Sequence, residues 1–289
     1  MMKARRFLVI FLALSMLISL VSANFAFAVG EETALSGKGT KTEPYLISDT
    51  AAFVAFRDSV NIGETYEGKF VKLTADIDIS AAIANGGSAN MSWTPIGDHD
   101  TPFKGSFDGN GHRITGLYIN GISAYQGLFG CVGSEGAIQN LCVDGTVKGG
   151  AQVGGIVGAN LYGTIQNCCY TGSVTGSDYV GGVVGENYGV AALCYNAGTV
   201  KAGSYTGGVV GRNEGGTVTN CYNTGEVTVS SGLSGGVIGY VGGVVGYNYG
   251  TIENCYSAGA VTGEQYAGGV AGNHWGRHHY KLLLPKRHG

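Results

Sequence analysis

A block of about 26 residues repeats along the second half of this chain, and it constrains the fold more than any other feature. Each copy contains a Gly-Gly-Val-Val-Gly element followed by a Thr-Ile-x-Asn-Cys-Tyr element, and the clearest copies are 153–176, 180–203, 206–229 and 241–263. The closing glycines of the first element follow one another at steps of 28, 27, 26, 35 and 26 residues, at Gly130, Gly158, Gly185, Gly211, Gly246 and Gly272. The long step contains a tandem near-duplicate at 234–247, and without its seven extra residues the step is again 28. Such a period indicates a stack of similar units.

Each repeat offers three short runs of β-favouring residues separated by Gly or Asn, and none has the 3.6-residue period of a helix. Three short strands in about 26 residues match one coil of a parallel β-helix, whereas a β-propeller blade needs about 40–45 residues. We therefore predict an all-β fold, a right-handed parallel β-helix (solenoid) with about 26 residues per coil. Two apolar columns should line its core: Ile138, Ile165, Val218 and Ile252, and Val147, Val174, Val200, Val227 and Val261.

One helix and one series of bends complete the predicted coils. A short helix is expected at 50–61, with Ser48 or Asp49 as its N-cap. It should close the first coil, because a solenoid needs a cap. An asparagine column is expected to form a bend in each coil, with its amides bonded along the stack, at Asn140, Asn167, Asn220 and Asn254.

Composition and charge exclude several classes of protein. Gly accounts for 53 of 289 residues and Pro for only 4, while hydrophobic residues make up 44%, which indicates a folded, turn-rich chain and not collagen or disorder. Of the 17 basic residues, three lie in the N-terminal segment and four in the final tail. The body keeps 10 basic against 20 acidic residues, a net charge of −10, which argues against nucleic-acid binding.

Residues 1–28 have the features of a secretory signal peptide. Three basic residues precede an apolar run at 7–21, and an Ala-x-Ala cleavage site ends at Ala28. The run is short for a membrane span, and no cysteine follows it that could carry a lipid anchor. We expect a secreted, extracellular or cell-surface protein that meets the membrane only through this signal peptide.

The seven cysteines fall into columns of the repeat. The four that share one column, where the first copy has Leu141, are expected to form a buried thiol ladder: Cys168, Cys194, Cys221 and Cys255. Cys142 and Cys169 occupy the next, outward column one coil apart, so this pair is a candidate disulfide. Cys131 has no assigned role. No Cys-x-x-Cys pattern occurs, which argues against structural zinc.

The repeats resemble the GLUG motif, a repeat of bacterial surface proteins and of some IgA1-specific metallopeptidases. The resemblance rests on the consensus GGVVGxNxGTIxNCYxxGxV and on leader segments such as WTPIGDHDTPFKGSFDGNGHRITGLYI, and it covers about residues 37–276. It implies an N-terminal cap and leading coils at 29–130, GLUG-like repeats at 131–276 and exposure outside the cell. It implies no catalytic residue in the repeats. The peptidase zinc motif His-Glu-x-x-His does not occur in the chain, and we expect no cofactor and no metal.

An acid and histidine cluster is the strongest catalytic candidate in the body, and it includes Asp98, Asp100, Asp108 and His112. A carbohydrate-active enzyme, either a polysaccharide lyase or a hydrolase, could use such carboxylates as acid and base. The alternative is that these residues form turns by bonding their own backbone. We expect the turn function, and hence no enzyme.

A tyrosine column precedes the Gly-Gly-Val-Val-Gly element, at Tyr179, Tyr205 and Tyr266. Stacked aromatic side chains on a solenoid can bind the sugar rings of a host or bacterial surface glycan, or a partner protein. They can equally cover corners where glycines leave the backbone bare. These tyrosines are the candidate ligand-binding residues.

The tail at 277–289 breaks the repeat, although another Thr-Ile-x-Asn-Cys-Tyr element should follow Gly276. Codons permitted for this stretch, read one nucleotide later, encode Gly-Ile-Thr-Ile-Asn-Cys-Tyr-Tyr. We therefore expect an out-of-frame tail, to be tested by resequencing the gene beyond codon 276. We also expect a missing C-terminal part that could associate with the cell wall.

The sequence thus predicts a non-catalytic stalk or adhesive binding module. The alternatives are the carbohydrate-active enzyme and the non-catalytic repeat fragment of a surface metallopeptidase. The fragment hypothesis predicts a protease domain downstream in the gene.

Overall fold

A computed structural model of the chain describes residues 35–85, 92–229, 239–263 and 266–275. The predicted signal peptide and the predicted out-of-frame tail lie outside these ranges. The described residues form a parallel β-helix of about eight turns with about 27 residues per coil. The predicted fold class is confirmed, and the coil is about one residue longer than predicted.

Four parallel sheets, which we call sheets A to D, run along the described part of the helix. Sheet A consists of the strands Tyr45–Ile47, Phe70–Leu73, Ser106–Asp108, Ala137–Gln139, Thr164–Gln166, Val190–Ala192, Thr217–Thr219 and Thr251–Glu253. Sheet B consists of Ile77–Asp78, Arg113–Asn120, Cys142–Lys148, Cys169–Tyr170, Ser173–Gly176, Tyr195–Asn196, Thr199–Ala202, Tyr222–Asn223, Val227–Val229, Tyr256–Ser257 and Val261–Thr262.

The other two sheets come from the Gly-Gly-Val-Val-Gly element and the residues just before it. Sheet C consists of the strands Phe129–Val132, Val157–Asn160, Val184–Asn187, Val210–Asn213, Val245–Asn248 and Ala271–His274. Sheet D consists of Ala151–Gly154, Asp178–Gly181, Thr206–Gly207, Tyr240–Gly242 and Tyr266–Gly268. In the coils from Phe129 onward, the chain passes through sheets C, A, B and D in that order.

The core consists of apolar columns in register from coil to coil. On sheet A, Ile138 pairs with Ile165, Ile165 with Ala191, Ala191 with Val218 and Val218 with Ile252. All five side chains are buried. The predicted valine column is likewise in register on sheet B, from Val147 to Val261. Each buried side chain of this size contributes about 1.5–3 kcal/mol, so these columns are a main source of stability.

Sheets C and D pack against each other through glycines. A Cβ atom placed on Gly211 of sheet C would lie 2.5 Å from the carbonyl carbon of Tyr179 and 2.7 Å from the oxygen of Gly185. A Cβ on Gly181 of sheet D would lie 2.7 Å from the backbone nitrogen of Gly211. Because no side chain fits between these backbones, glycine is required there. This seam explains much of the glycine content.

A helix closes the N-terminal end of the core, as predicted. Helix α1, Thr50–Asn61, begins after Asp49, whose Oδ1 accepts the backbone N–H of Ala52 at 2.9 Å. Its buried Phe53 stacks on Trp93 at 5.5 Å between ring centroids. A second short helix, α2 at Ser80–Asn85, was not predicted.

Asparagines bond from coil to coil in three separate columns, one of which joins Asn196 Nδ2 to Asn223 Oδ1 at 2.8 Å. In the predicted bend column, Asn167 Nδ2 donates to Asn140 Oδ1 at 2.8 Å, and φ of these two residues is 50° and 55°. A second, fully buried ladder was not predicted. Its members donate in turn at 2.8, 2.8 and 2.7 Å along the sequence Asn160, Asn187, Asn213 and Asn248. The buried ladder holds the sheet C side of each coil to the next one.

Candidate functional site

Four tyrosines lie one above another beside sheet D, one on each successive coil, and we call them the tyrosine row: Tyr179, Tyr205, Tyr240 and Tyr266. The ring centroids are 5.2 Å apart between Tyr179 and Tyr205, 5.4 Å between Tyr205 and Tyr240, and 4.9 Å between Tyr240 and Tyr266. These distances are close to the spacing of adjacent strands, about 4.7–4.9 Å. The structure therefore brings the three predicted tyrosines into one row and adds Tyr240 between two of them.

Part of the row has an unfavourable backbone conformation. Tyr179 and Tyr205 have φ values of 49° and 43°, in the left-handed region. Asparagine tolerates this region in the bend column, whereas a bulky aromatic residue there costs on the order of 1–3 kcal/mol. Gln152, in register with Tyr179 one coil earlier, has a φ of 49° as well. The left-handed conformation therefore belongs to a bend of the coil at this position.

A buried ion pair supports the row from sheet C. The guanidinium of Arg212 lies over the ring of Tyr179, at 5.1 Å from its centroid. Arg212 pairs with Glu186 at 2.7 Å and with Glu214 at 2.6 Å. Glu186 is only 5% exposed and accepts a further hydrogen bond from the hydroxyl of Tyr188 at 3.1 Å. Because Glu186 and Glu214 both pair with its charge, the guanidinium of Arg212 is held against the ring of Tyr179.

Further along the row, a tyrosine of sheet C takes the place of the arginine. Arg212 and Tyr247 are in register on adjacent strands. The ring of Tyr247 meets Tyr205 at 5.1 Å and Tyr240 at 5.6 Å, both in edge-on geometry. Edge-to-face pairs stabilise by about 0.5–1.5 kcal/mol beyond the area they bury. The row is therefore packed on one side and open to solvent on the other.

Burial changes the acidity of groups around the row. Burial raises the pKa of Asp178, against a hydrogen bond from Ser204 that lowers it. Burial also raises the pKa of Tyr179, with the negative charge of Asp178 acting in the same direction. The pKa of Tyr188 is raised to about 12, first by burial and then by the charge of Glu186. The tyrosines named here therefore stay neutral at physiological pH and can both donate and accept hydrogen bonds.

A second aromatic stack lies on the outer side of sheet B. The rings of Tyr195 and Tyr222 are 4.9 Å apart and nearly parallel, and Tyr256 continues the stack at 5.2 Å. In the same column on the two preceding coils, Cys142 pairs with Cys169, and the two form a disulfide with Cα atoms 4.5 Å apart. This column therefore joins coils through a covalent bond at one end and through ring stacking at the other.

The remaining cysteines are free and buried. In the thiol ladder each Sγ lies near the carbonyl oxygen two residues before it, as in Cys168 with Gln166 at 3.2 Å. Burial raises the pKa of Cys168 well above its ordinary value. It also raises the pKa of Cys131 to about 12, with smaller contributions from the charges of Asp98 and Glu186. These two thiols are therefore poor nucleophiles.

Asp98 and Asp100 lie in a loop on the sheet C side of the leading coils, where Ile96 bridges to Phe129. Oδ1 of Asp98 accepts backbone N–H bonds from Asp100 at 3.0 Å and from Thr101 at 2.7 Å. The bond from Thr101 is the main reason why the pKa of Asp98 is lowered. The carboxylate of Asp98 thus stabilises its own turn.

Asp108 and His112 lie elsewhere, where sheet A passes into sheet B. Oδ1 of Asp108 accepts the backbone N–H of Asn110 at 2.8 Å and the side-chain amide of Asn140 at 2.9 Å. Nδ1 of His112 lies 3.1 Å from Oδ1 of Asp76. The four candidate catalytic residues are therefore divided between two loops, and each loop uses its polar side chains locally.

Sequence reasoning missed Tyr240, Tyr247 and the pair of Glu186 with Arg212. Tyr240 precedes Val-Gly-Gly as Tyr179 does, so the repeat alone could have revealed it. Glu186, Arg212 and Tyr247 occupy the variable position of the Gly-Gly-Val-Val-Gly-x-Asn element. The variation at this position did not indicate a site in the sequence. These residues matter because Arg212 and Tyr247 contact the tyrosine row, which belongs to a different column of the repeat, and Glu186 pairs with Arg212.

Within the described ranges, no group of three or more His, Cys, Asp or Glu side chains is arranged to hold a metal ion. Helices long and apolar enough to cross a membrane are also absent from the part of the chain that the structure describes. A shallow cleft of about 700 Å³ lies near the N-terminal end, bordered by Lys38, Pro44 and Asn110. It is distant in sequence from the tyrosine row.

Known proteins share the repeat. The family model described as the GLUG motif matches residues 202–229 and 238–262. The chain is 40% identical over 131 residues to a protein of Evansella cellulosilytica that is provisionally named as a Gly-rich membrane protein. The match covers 44% of this chain and 14% of that protein. It is also 38% identical over 135 residues to halomucin of Haloquadratum walsbyi. That match covers 45% of this chain and 1% of halomucin. The chain therefore spans a small part of both relatives.

A solved structure shares the fold. It is that of a Bacteroides ovatus protein provisionally named as an immunoglobulin A1 protease, with a TM-score of 0.56 and 24% sequence identity over 85% of this chain and 79% of the other. At that identity the likeness concerns the fold alone. Residues 202–229 and 238–262 therefore match the GLUG motif, and they lie in a chain that is folded as a parallel β-helix.

Proposed function

We propose that the protein is a non-catalytic extracellular module, a stalk that binds a surface glycan or a partner protein through the tyrosine row. The observation that carries this proposal is the row itself. Its four tyrosines are repeated once per coil, supported by Arg212 and Tyr247 from behind, and partly exposed in front. Binding surfaces usually combine aromatic side chains with a few polar groups that are held in fixed positions.

The stalk function is supported by the continuity of the fold. One core runs through about eight turns. The buried asparagine ladder and the disulfide each connect neighbouring coils. In such a solenoid each coil contacts only its neighbours, and the result is an extended surface. An extended surface repeats the same groups at a fixed interval, which suits a ligand that is itself repetitive or extended.

An extracellular location is supported by the features of residues 1–28 and by the names of two relatives, a membrane protein and halomucin. Expression of the full gene with a C-terminal tag tests it. We expect the tagged chain outside the cytoplasm, with an N-terminus at Val29 by mass spectrometry. A chain that stays in the cytoplasm with its first residues intact would contradict this location.

A binding assay tests the function. The chain is immobilised and exposed to arrays of bacterial and host glycans and of surface proteins, beside a Tyr205→Ser/Tyr240→Ser variant. We expect at least one class of ligand to bind the native chain and to be lost from this variant. Tyr222→Ser in the other stack is the matched control and should bind normally. If the native chain binds nothing, or if both variants lose binding equally, the proposed function is wrong.

A further inference from the structure

The repeat distance of the tyrosine row suggests the shape of its ligand. Its three ring spacings, 5.2, 5.4 and 4.9 Å, follow the axis of the solenoid. A linear polysaccharide whose pyranose rings are joined by equatorial β-1,4 linkages is extended, and its rings advance by nearly this distance. An α-1,4-linked chain of the same sugar curls, and its rings do not stay in step with the row. An extended peptide advances about 3.3 Å per residue and does not match either.

The groups that the row presents suit sugar hydroxyls. The rings of Tyr205, Tyr240 and Tyr266 are stacked on one another, so their edges and hydroxyl groups face outward more than their faces do. Among the described residues, no hydroxyl of the row bonds to a protein group, whereas the hydroxyl of buried Tyr170 bonds to Gly145 at 2.9 Å. A phenol both donates and accepts a hydrogen bond, as a sugar hydroxyl does.

The charge around the row selects against acidic polymers. Asp178, Glu186 and Glu214 bring three carboxylates close to the row, and Arg212 brings one compensating cation. The body of the chain is acidic as well. A negatively charged surface disfavours a partner that is also negatively charged. A polysaccharide with carboxylate or sulfate groups is therefore repelled, while an uncharged one is not.

We infer that the tyrosine row binds an extended, uncharged β-1,4-linked polysaccharide that lies parallel to the solenoid axis, with about one sugar per coil. The inference rests on the proposed function and specifies its ligand. Neighbouring tyrosine hydroxyls form hydrogen bonds with successive sugars. Because the spacing of the coils is fixed, each tyrosine of the row stays beside one sugar of the polysaccharide.

Isothermal titration calorimetry with short oligosaccharides tests the match of repeats. We expect affinity to rise with each added glucose from cellobiose to cellotetraose and then to level off, because the row has four rings. Maltohexaose has the same composition as cellohexaose with the other linkage, and it should bind about tenfold more weakly or worse. Oligogalacturonate, which is acidic, should not bind measurably. Equal affinity for the cello and malto series would overturn the inference.

A conservative variant isolates the hydroxyl groups. Tyr205→Phe/Tyr240→Phe keeps the stacked rings and removes two donors, and we expect about a tenfold loss of affinity for cellohexaose. Tyr195→Phe/Tyr222→Phe on sheet B is the matched control and should bind as the native chain does, with unchanged circular dichroism in both variants. Unchanged affinity in the row variant would overturn the inference.

The two proposals fail in different ways. If the row binds another glycan or a protein and ignores cellohexaose, the inferred ligand is wrong and the binding function stands. If neither cello-oligosaccharides nor any ligand of the arrays binds, both are wrong.

Discussion

The side-chain amide of Asn187 donates to the side-chain oxygen of Asn213 on the next coil at 2.8 Å, and neither residue is exposed to solvent. Asn160 donates to Asn187 in the same way. Asn187→Ala removes both bonds, and also the bond from Asn187 to the carbonyl oxygen of Gly189. The buried side-chain oxygen of Asn213 then loses this donor, and a buried polar group without a partner costs about 1–3 kcal/mol. We therefore expect the free energy of unfolding to fall by about 2–4 kcal/mol, measured by urea titration with circular dichroism.

The exposed asparagine column supplies the control. Asn167→Gly removes the amide that bonds Asn140 but keeps a residue that accepts the left-handed φ of 50°. Since that bond is open to water, its loss should cost less than about 1 kcal/mol. If the two variants are equally stable, the buried ladder does not hold the coils together as described.

The glycine seam between sheets C and D allows a second prediction. Gly211→Ala places a methyl group 2.5 Å from the carbonyl carbon of Tyr179, in backbone that cannot move without shifting a sheet. Overpacking of this kind typically costs about 1–3 kcal/mol and occasionally more. We expect urea titration to show that the free energy of unfolding falls by at least about 3 kcal/mol, or that the chain does not fold. Among the described residues, no atom lies within 4 Å of a Cβ added to Gly269, so Gly269→Ala should leave stability unchanged. Equal effects would argue against the seam.

Asp178 should give stability an unusual dependence on pH. Its pKa is raised by burial above the ordinary value of 3.8, so between these two values the folded state binds more protons than the unfolded state. Stability therefore falls as pH rises through this interval and stays lower above it. Asp178→Asn should raise the melting temperature at about pH 7 and leave it nearly unchanged at about pH 3.

The pKa of Asp98 is shifted in the opposite direction, so this residue serves as the control. Its pKa is lowered, first by the backbone N–H of Thr101, so the charged form stabilises the fold above 3.8 and this contribution is lost as pH falls. Asp98→Asn should lower the melting temperature at about pH 7 and lower it less at about pH 3. If both aspartate variants shift stability in the same direction at neutral pH, the assigned environments are wrong.

The cysteines make a prediction that mass spectrometry can count. Five of the seven are free and buried, and the other two form the disulfide of Cys142 with Cys169. We expect iodoacetamide to label none in the native chain, five in denaturant, and seven in denaturant with reductant. Labelling of the native chain would contradict the burial of the thiols. Fewer than five labels in denaturant alone would indicate further disulfides within the ladder.

Much of the fold follows from the sequence, because in-register coils stack identical positions. The valine column ending at Val261, the bend at Asn167 and the helix at 50–61 could all be placed from period and residue type alone. The packing between columns could not be placed. Arg212 and Tyr179 belong to different columns and different coils, and their contact depends on how closely the glycine seam brings sheet C to sheet D.

The candidate site was predicted in part for the same reason. Three members of the row were predicted because each precedes a Gly-Gly pair in the repeat, and Tyr240 has the same sequence context. The buried ladder at Asn187 did not stand out, because its conserved spacing looks like that of the bend column and only its burial distinguishes the two. Side-chain direction at a corner depends on the local φ, which the period of the repeat does not reveal.

The most direct test of the account measures binding and turnover in one experiment. The chain is incubated with the polysaccharide that it binds, and both the bound fraction and the number of new reducing ends are followed over time. We predict saturable binding with no new ends. If new ends accumulate with the native chain and disappear with Asp98→Asn/Asp108→Asn, the protein is an enzyme, and the assignment of these carboxylates to turns is wrong.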